Sequence, residues 1–194
     1  MPEQLSGARA RMYTRTGDGG MTSCHAACRV RKDDIRVETC GTLDELNSVI
    51  GVALVSSNLH SDIESILHCV QHDLFTLCAE IAHEGADGIP KVTESYVNAL
   101  EAAIDDINCR VPPQHSFLLP GGCSAAAHLH LARTVCRRAE RALVTLRSTH
   151  SVSDALLKYI NRLSGLLYVL ARFANHTAGV VEEAPKYNKH SNGI

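Results

Sequence analysis

Apolar side chains recur at intervals of three and four residues through five stretches of the chain, the spacing that lines up one face of an α-helix. Leu43, Leu46, Val49, Ile50, Ala53 and Leu54 form the first stripe. It predicts a helix from Thr42, where Glu45 completes a capping box, to about Ser57. The second carries Ile63, Ile66, Leu67, Val70, Leu74, Leu77 and Ile81. It opens on a Ser61–Glu64 capping box and runs to about His83. Two glycines and Pro90 predict a loop over 84–92, and a third helix follows from near Thr93 to near Arg110, with Tyr96, Val97, Leu100, Ile104 and Ile107 inward. Pro112-Pro113 stops it. After Pro120-Gly121-Gly122 a fourth helix begins at Ser124 as N-cap and continues without Gly or Pro to about Arg147. The fifth spans about Ser153 to His176 and ends before Gly179. No stretch sustains period-two alternation, so no strand is expected, and Cys24 to Arg36 reads as an irregular linker. The predicted fold is all-α: a five-helix bundle of the ferritin-like up-down type, one domain over 1–194 with an N-terminal loop arm. Residues 1–11 read as a flexible leader and 180–194 as a flexible tail.

Composition sharpens this reading. Aromatics make up only 4% of the 194 residues and Trp is absent, which suits closely packed helices better than a sandwich of sheets. A net charge of -2 supplies no global basic field for nucleic acid, so any anion site must be local. No apolar run reaches the roughly 18 residues needed to cross a bilayer, and the N-terminus lacks the apolar core of a signal peptide. Cytoplasm is the expected compartment, with the mitochondrion its counterpart in a eukaryote. The cysteines at 24, 28, 40, 69, 78, 109, 123 and 136 contain no C-x-x-C pair and read as reduced thiols.

Candidate chemistry concentrates in two places. Arg133, Arg137 and Arg141 recur every four residues and share one face of the fourth helix. Such a row repels itself by a few tenths of a kcal/mol per pair, which makes sense if a phosphate lies against it, since guanidinium forks bind phosphate oxygens bidentately. A solvated basic face, partly neutralised by Glu140, is the competing account. Tyr13 to Ser23 is a loop dense in Gly, Thr and Ser, with the backbone N–H groups, hydroxyls and arginine needed to wrap a polyphosphate. It is not a Walker A loop. Asp44, placed in the first turn of the first helix, either caps it or orients an arginine of the fourth. Asn161 beside Arg162 marks a polar spot in an apolar helix. His68 and His72 lie at i,i+4 without the intervening Glu of a zinc protease, and Ser124 and Cys123 lack the partners of a nucleophile.

Five blocks carry a resemblance: Tyr13-Thr-Arg-Thr-Gly-Asp-x-Gly-x-Thr-Ser23, Gly41-Thr-x-Asp-Glu-Leu-Asn47, Leu119-Pro-Gly-Gly122, Ala132-Arg-Thr-Val-Cys-Arg-Arg-Ala-Glu-Arg141 and Tyr159-Ile-Asn-Arg-Leu-Ser164. In this order, over about Tyr13 to His176, the chain resembles the PduO-type ATP:cob(I)alamin adenosyltransferases. The resemblance implies transfer of the 5′-deoxyadenosyl group of ATP to cobalt, giving adenosylcobalamin and triphosphate. It also implies a homotrimer with active sites between subunits. ATP would be cradled by Thr14, Arg15, Thr16, Gly17, Asp18, Gly20, Thr22 and Lys32. Arg137, Arg138, Glu140, Arg141 and Asn161 would meet it from across the interface, with Mg²⁺ bound mainly through ATP. Arg133 would pair with Asp44, and Phe117 would crowd the lower face of the corrin cobalt. Cys24-His-Ala-Ala-Cys28 departs from the family pattern, and Tyr187 is the candidate for an aromatic in the closing tail. A cob(II)alamin reductase and an adenosylcobalamin-dependent mutase are the implied partners. A carrier that holds ATP or adenosylcobalamin without turnover is the alternative.

Overall fold

The first helix, α1 (Ile35–Leu54), begins seven residues before the Thr42 that the capping-box pattern singles out. Asp34 is its N-cap: its carboxylate accepts from the Arg36 backbone N–H at 2.9 Å and takes the Arg36 guanidinium at 2.9 and 2.8 Å. Thr39 and Thr42 lie inside the helix, donating back to the carbonyls of Ile35 and Glu38 at 2.7 and 2.9 Å. Asp44 therefore sits in the middle of α1, and a first-turn capping role for it is ruled out. The Arg36 hydrogen bond is the main cause holding the Asp34 carboxyl down at about 2, against its usual 3.8. A depressed folded-state pKa contributes stability above the unfolded value and loses it as pH falls through the folded one. Asp34→Ala should therefore cost about 1 kcal/mol near neutral pH. The cost should shrink below the usual carboxylate range toward pH 2, which urea titrations at several pH values would read.

The structure, a computed structural model, describes residues 12–25, 28–85 and 87–186. The end of the Tyr13–Ser23 loop and the start of the segment read as a linker form a hairpin of β1 (Met21–His25) and β2 (Cys28–Arg31), antiparallel, with Met21 opposite Arg31 and Thr22 opposite Val30. Strands this short carry too few positions for alternation to register, and among the described residues the hairpin buries Val30.

The remaining helices are α2 (Ser61–Ala82), α3 (Glu94–Asn108), α4 (Ser124–Arg147) and α5 (Asp154–Thr177). Two of the predicted caps stand one residue away: His60 rather than Ser61 caps α2 by accepting from the Asp62 N–H at 3.2 Å, and Cys123 rather than Ser124 precedes α4. Ser153, the expected start of the fifth helix, is the N-cap of α5 and accepts from the Leu156 N–H at 3.2 Å.

Side-chain contacts set the helix directions. Asn47–Gln71 with Cys40–Cys78 makes α1 and α2 antiparallel, and Glu45–Arg138 with Ser56–His128 does the same for α1 and α4. Glu140–Asn161 at one end of the pair and Cys123–Asn175 at the other orient α4 against α5. Glu94–Lys158 and Glu101–Arg162 run α3 parallel to α5. The result alternates up and down through all five helices. Leu43, Leu46, Ile50, Leu67, Leu74, Leu129, Leu143, Ile160 and Leu163 meet in the core, and Tyr159 reaches Asp73 through its hydroxyl at 2.8 Å. Among the described residues no helix is long and apolar enough to cross a membrane.

Candidate functional site

The N-terminal arm folds back on itself before the hairpin. Arg15 at φ 60° and Gly20 at φ 79° turn the backbone, and the N–H groups of Asp18 and Gly20 close the turns on Arg15 and Gly17. Thr14 and Thr16 join hydroxyls at 2.9 Å. The Lys32 N–H donates to the Gly20 carbonyl at 2.9 Å, and its ammonium lies directly over Gly17, where a methyl group would approach Nζ to 3.4 Å. Seven of the predicted residues, Thr14 through Gly20 with Lys32, thus gather at one turn. Lys32 has no carboxylate partner among the described residues. Arg29, read from sequence as solvated surface, instead braces the arm by donating to the carbonyls of Thr16 and, at 3.4 Å, Met21.

A second group lies on α4 and α5. Arg137 and Arg141 are exposed and unpaired among the described residues, whereas Arg138 is tied to Glu45 of α1. Glu140 accepts from Asn161 at 2.8 Å, Asn161 accepts from Arg162 at 2.9 Å, and Arg162 reaches Glu101 at 2.7 Å. The polar spot in α5 is therefore a four-residue ladder across three helices. Arg133 is half-buried with an unpartnered Nε, one turn after the buried His130, whose Nδ1 is likewise unpartnered. Burial, and then the Arg133 charge, lower the His130 pKa, with Glu182 opposing them.

Asp44 faces a different place. With Thr22, Ser23, Arg36, Phe75 and Cys78 it lines a recess of about 400 Å³ between α1 and α2, roofed by β1. The α1–α4 register puts Arg133 level with about Gly51, two helical turns or roughly 10 Å along the axis from Asp44. Within one chain these two residues are not brought together.

Phe117 is 80% exposed on the loop between α3 and α4. With Gln114, His115, Ser116, Ala184 and Pro185 it lines a recess of about 570 Å³. The loop is anchored from α5. The buried Asn175 accepts from the Cys123 N–H at 2.9 Å and donates to the Gly121 carbonyl at 3.0 Å. Arg172 donates to the Pro112 carbonyl at 2.7 Å and pairs with Glu182 at 3.2 Å. The Leu119 N–H takes the Glu183 carbonyl at 2.8 Å, so residues 180–186, read as part of a flexible tail, are strapped along the Phe117 loop. Tyr187 lies outside the described residues. Asn175 and Arg172 were missed from sequence, although an Asn inside an apolar helix, disfavoured by propensity, is the signal that picked out Asn161.

Five helices alternating up and down behind an N-terminal hairpin arm define the class: all-α helical-bundle proteins. Within that class the chain belongs to the cobalamin adenosyltransferase family, whose sequence model matches residues 12–174. The corrinoid adenosyltransferase PduO of Salmonella typhimurium is 44% identical over 181 residues, 90% of this chain and 54% of that protein, so the chain spans about half the length of this relative. The cobalamin adenosyltransferase of Cupriavidus metallidurans is 41% identical over 170 residues, covering 88% of this chain and 91% of that one. A solved structure of a phenylalanine-to-alanine variant of the PduO-type ATP:corrinoid adenosyltransferase from Lactobacillus reuteri, complexed with cobalamin and ATP, superposes with a TM-score of 0.86. It shares 32% identity and covers 91% of this chain and 100% of its own.

Proposed function

We propose that this protein transfers the 5′-deoxyadenosyl group of ATP to the cobalt of cob(I)alamin, giving adenosylcobalamin and triphosphate. The observation that carries this reading is the pair of anion-ready half-sites: Lys32 over Gly17 in the arm, and the unpaired Arg137 and Arg141 on α4. A cobalt(I) nucleophile needs no protein base. The cobalt–C5′ bond forms as the C5′–O5′ bond breaks, and the electron pair leaves on the triphosphate. The charge growing there is what Arg137, Arg141, Lys32 and the hydroxyls of Thr14, Thr16 and Thr22 are suited to meet. Mg²⁺ would come bound mainly through ATP, where it would help neutralise the triphosphate, and the exposed Asp18 is the carboxylate of the arm that would lie nearest to it in this reading. Arg15, Arg138, Glu140 and Asn161 complete the ATP contacts, the last two already joined to each other.

The assembly in this reading is a homotrimer. Asp44 and Arg133, neither of which has a side-chain partner among the described residues, pair between subunits, bringing the arm of one copy to α4 of the next. A cob(II)alamin reductase supplies the cobalt(I) form, and an adenosylcobalamin-dependent mutase in the cytoplasm receives the product.

Anaerobic turnover with chemically reduced cobalamin, ATP and Mg²⁺ tests the reaction. Loss of cob(I)alamin absorbance with stoichiometric triphosphate is expected, and ATP binding without product would overturn the transferase reading. Phe117, held out on its anchored loop, is the wedge that favours four-coordinate cobalt. Phe117→Ala should still bind cobalamin while losing the ATP-dependent spectral change of bound cob(II)alamin. An unchanged spectrum would remove that role.

A further inference from the structure

Cys40 of α1 and Cys78 of α2 face each other in a reciprocal arrangement. The Cys40 thiol donates to the Cys78 carbonyl at 3.8 Å and the Cys78 thiol donates to the Cys40 carbonyl at 3.9 Å. Seven residues further along α1 and seven back along α2, Asn47 and Gln71 repeat the pattern with their side-chain amides, at 3.4 and 3.3 Å. The α1–α2 seam thus has two matched rungs, one of amides and one of thiols. In the single chain both cysteines of the thiol rung line the recess that also holds Thr22, Ser23 and Asp44. Cys136, by contrast, is sealed in the core.

We propose that Cys40 and Cys78 are a redox-active dithiol, a modification site at which a small dialkyl disulfide is exchanged for an intrachain bond between α1 and α2 that weakens ATP binding by the arm. One thiol, as thiolate, attacks the external disulfide, forming a mixed disulfide and expelling one alkyl thiolate. The second thiolate attacks the protein sulfur and expels the other. Two cysteine thiols are oxidised, one dialkyl disulfide is reduced to two thiols, and the two protons end on the leaving groups. The contact between the two thiols lowers the pKa of Cys78, with burial and then Asp44 opposing it, and the same contact and burial raise that of Cys40. Bond formation draws the sulfurs off the opposing carbonyls to about 2.05 Å from each other. The helices must shift at that rung. Asp44 lies one turn beyond Cys40, and Thr22 and Ser23 rest on the same recess, so the shift falls on residues of the proposed ATP site.

The consequence for ATP rests on the function proposed above; the dithiol itself does not. The whole protein, freed of reductant, is treated with bis(2-hydroxyethyl) disulfide, mapped by peptide mass spectrometry, and titrated with Mg·ATP by calorimetry before and after. Strong reductants are absent, because those that make cob(I)alamin would reopen the bond. A Cys40–Cys78 linked peptide is expected, with ATP affinity about tenfold weaker and restored by dithiothreitol. Cys40→Ser and, separately, Cys78→Ser should each abolish the linked peptide and the loss of affinity. Stable hydroxyethyl adducts in place of the link would overturn the dithiol, and a mapped link with unchanged ATP affinity would overturn its coupling to the arm. Absence of ATP binding by the untreated protein would instead sink the functional reading, leaving the peptide map to judge the dithiol.

Discussion

Replacing Arg137 by alanine should lower kcat/KM for ATP-dependent adenosylation about a hundredfold, because a donor aimed at charge that grows in the transition state is worth roughly 3 kcal/mol. The side chain is exposed and has no partner among the described residues, so its loss should leave the urea midpoint nearly unchanged, within about 0.5 kcal/mol. Its neighbour Arg138 spends its guanidinium on Glu45, so the two substitutions should separate: Arg138→Ala should disturb the α1–α4 contact as well as turnover. Anaerobic initial rates beside equilibrium unfolding decide it. Full activity in Arg137→Ala would remove this arginine from the site, and a large stability loss would show that it supports the fold instead.

Gly122→Ala should have the largest effect on stability of any single methyl addition in the Pro-Gly-Gly turn. The backbone there has φ 109°, a region that L side chains rarely adopt, and the added Cβ would come within 2.0 Å of Asn175 Oδ1. Asn175 is 2% exposed and cannot swing into solvent. If it is pushed aside, the Cys123 N–H and Gly121 carbonyl lose their partner. Backbone strain and unpaired polar groups each cost about 1–3 kcal/mol, which places the expected loss at about 3 kcal/mol or more. Chemical denaturation would measure it. Asn175→Ala alone should cost about 2 kcal/mol, and the double variant should cost less than the sum, since removing the amide relieves the clash. A loss under about 1 kcal/mol in Gly122→Ala would mean that the turn is far more pliable than its contacts imply.

The arginine row and the five helices were legible because both are statements about neighbours three and four residues apart, and that spacing is fixed by the helix itself. The beginning of α1 was not. Ile35 to Gly41 carries little apolar periodicity and a glycine, while Thr42–Glu45 imitates a cap in the middle of the helix. The hairpin escaped for a related reason, being too short for alternation to accumulate.

The candidate site divides along the same line. Residue type and local spacing singled out the loop from Thr14 to Thr22, the row on α4 and Asn161, while Lys32 was singled out only by the resemblance. Only the folded chain placed Lys32 over Gly17, joined Asn161 to Glu140, anchored the Phe117 loop on Asn175, and strapped residues 180–186 along it through Arg172 and the Leu119 N–H. It also separated Asp44 from Arg133, because the antiparallel register of α1 on α4 is decided by how two whole apolar faces interlock. Periodicity determines which face a residue occupies; which distant residue it meets depends on packing between elements, and no local pattern records that.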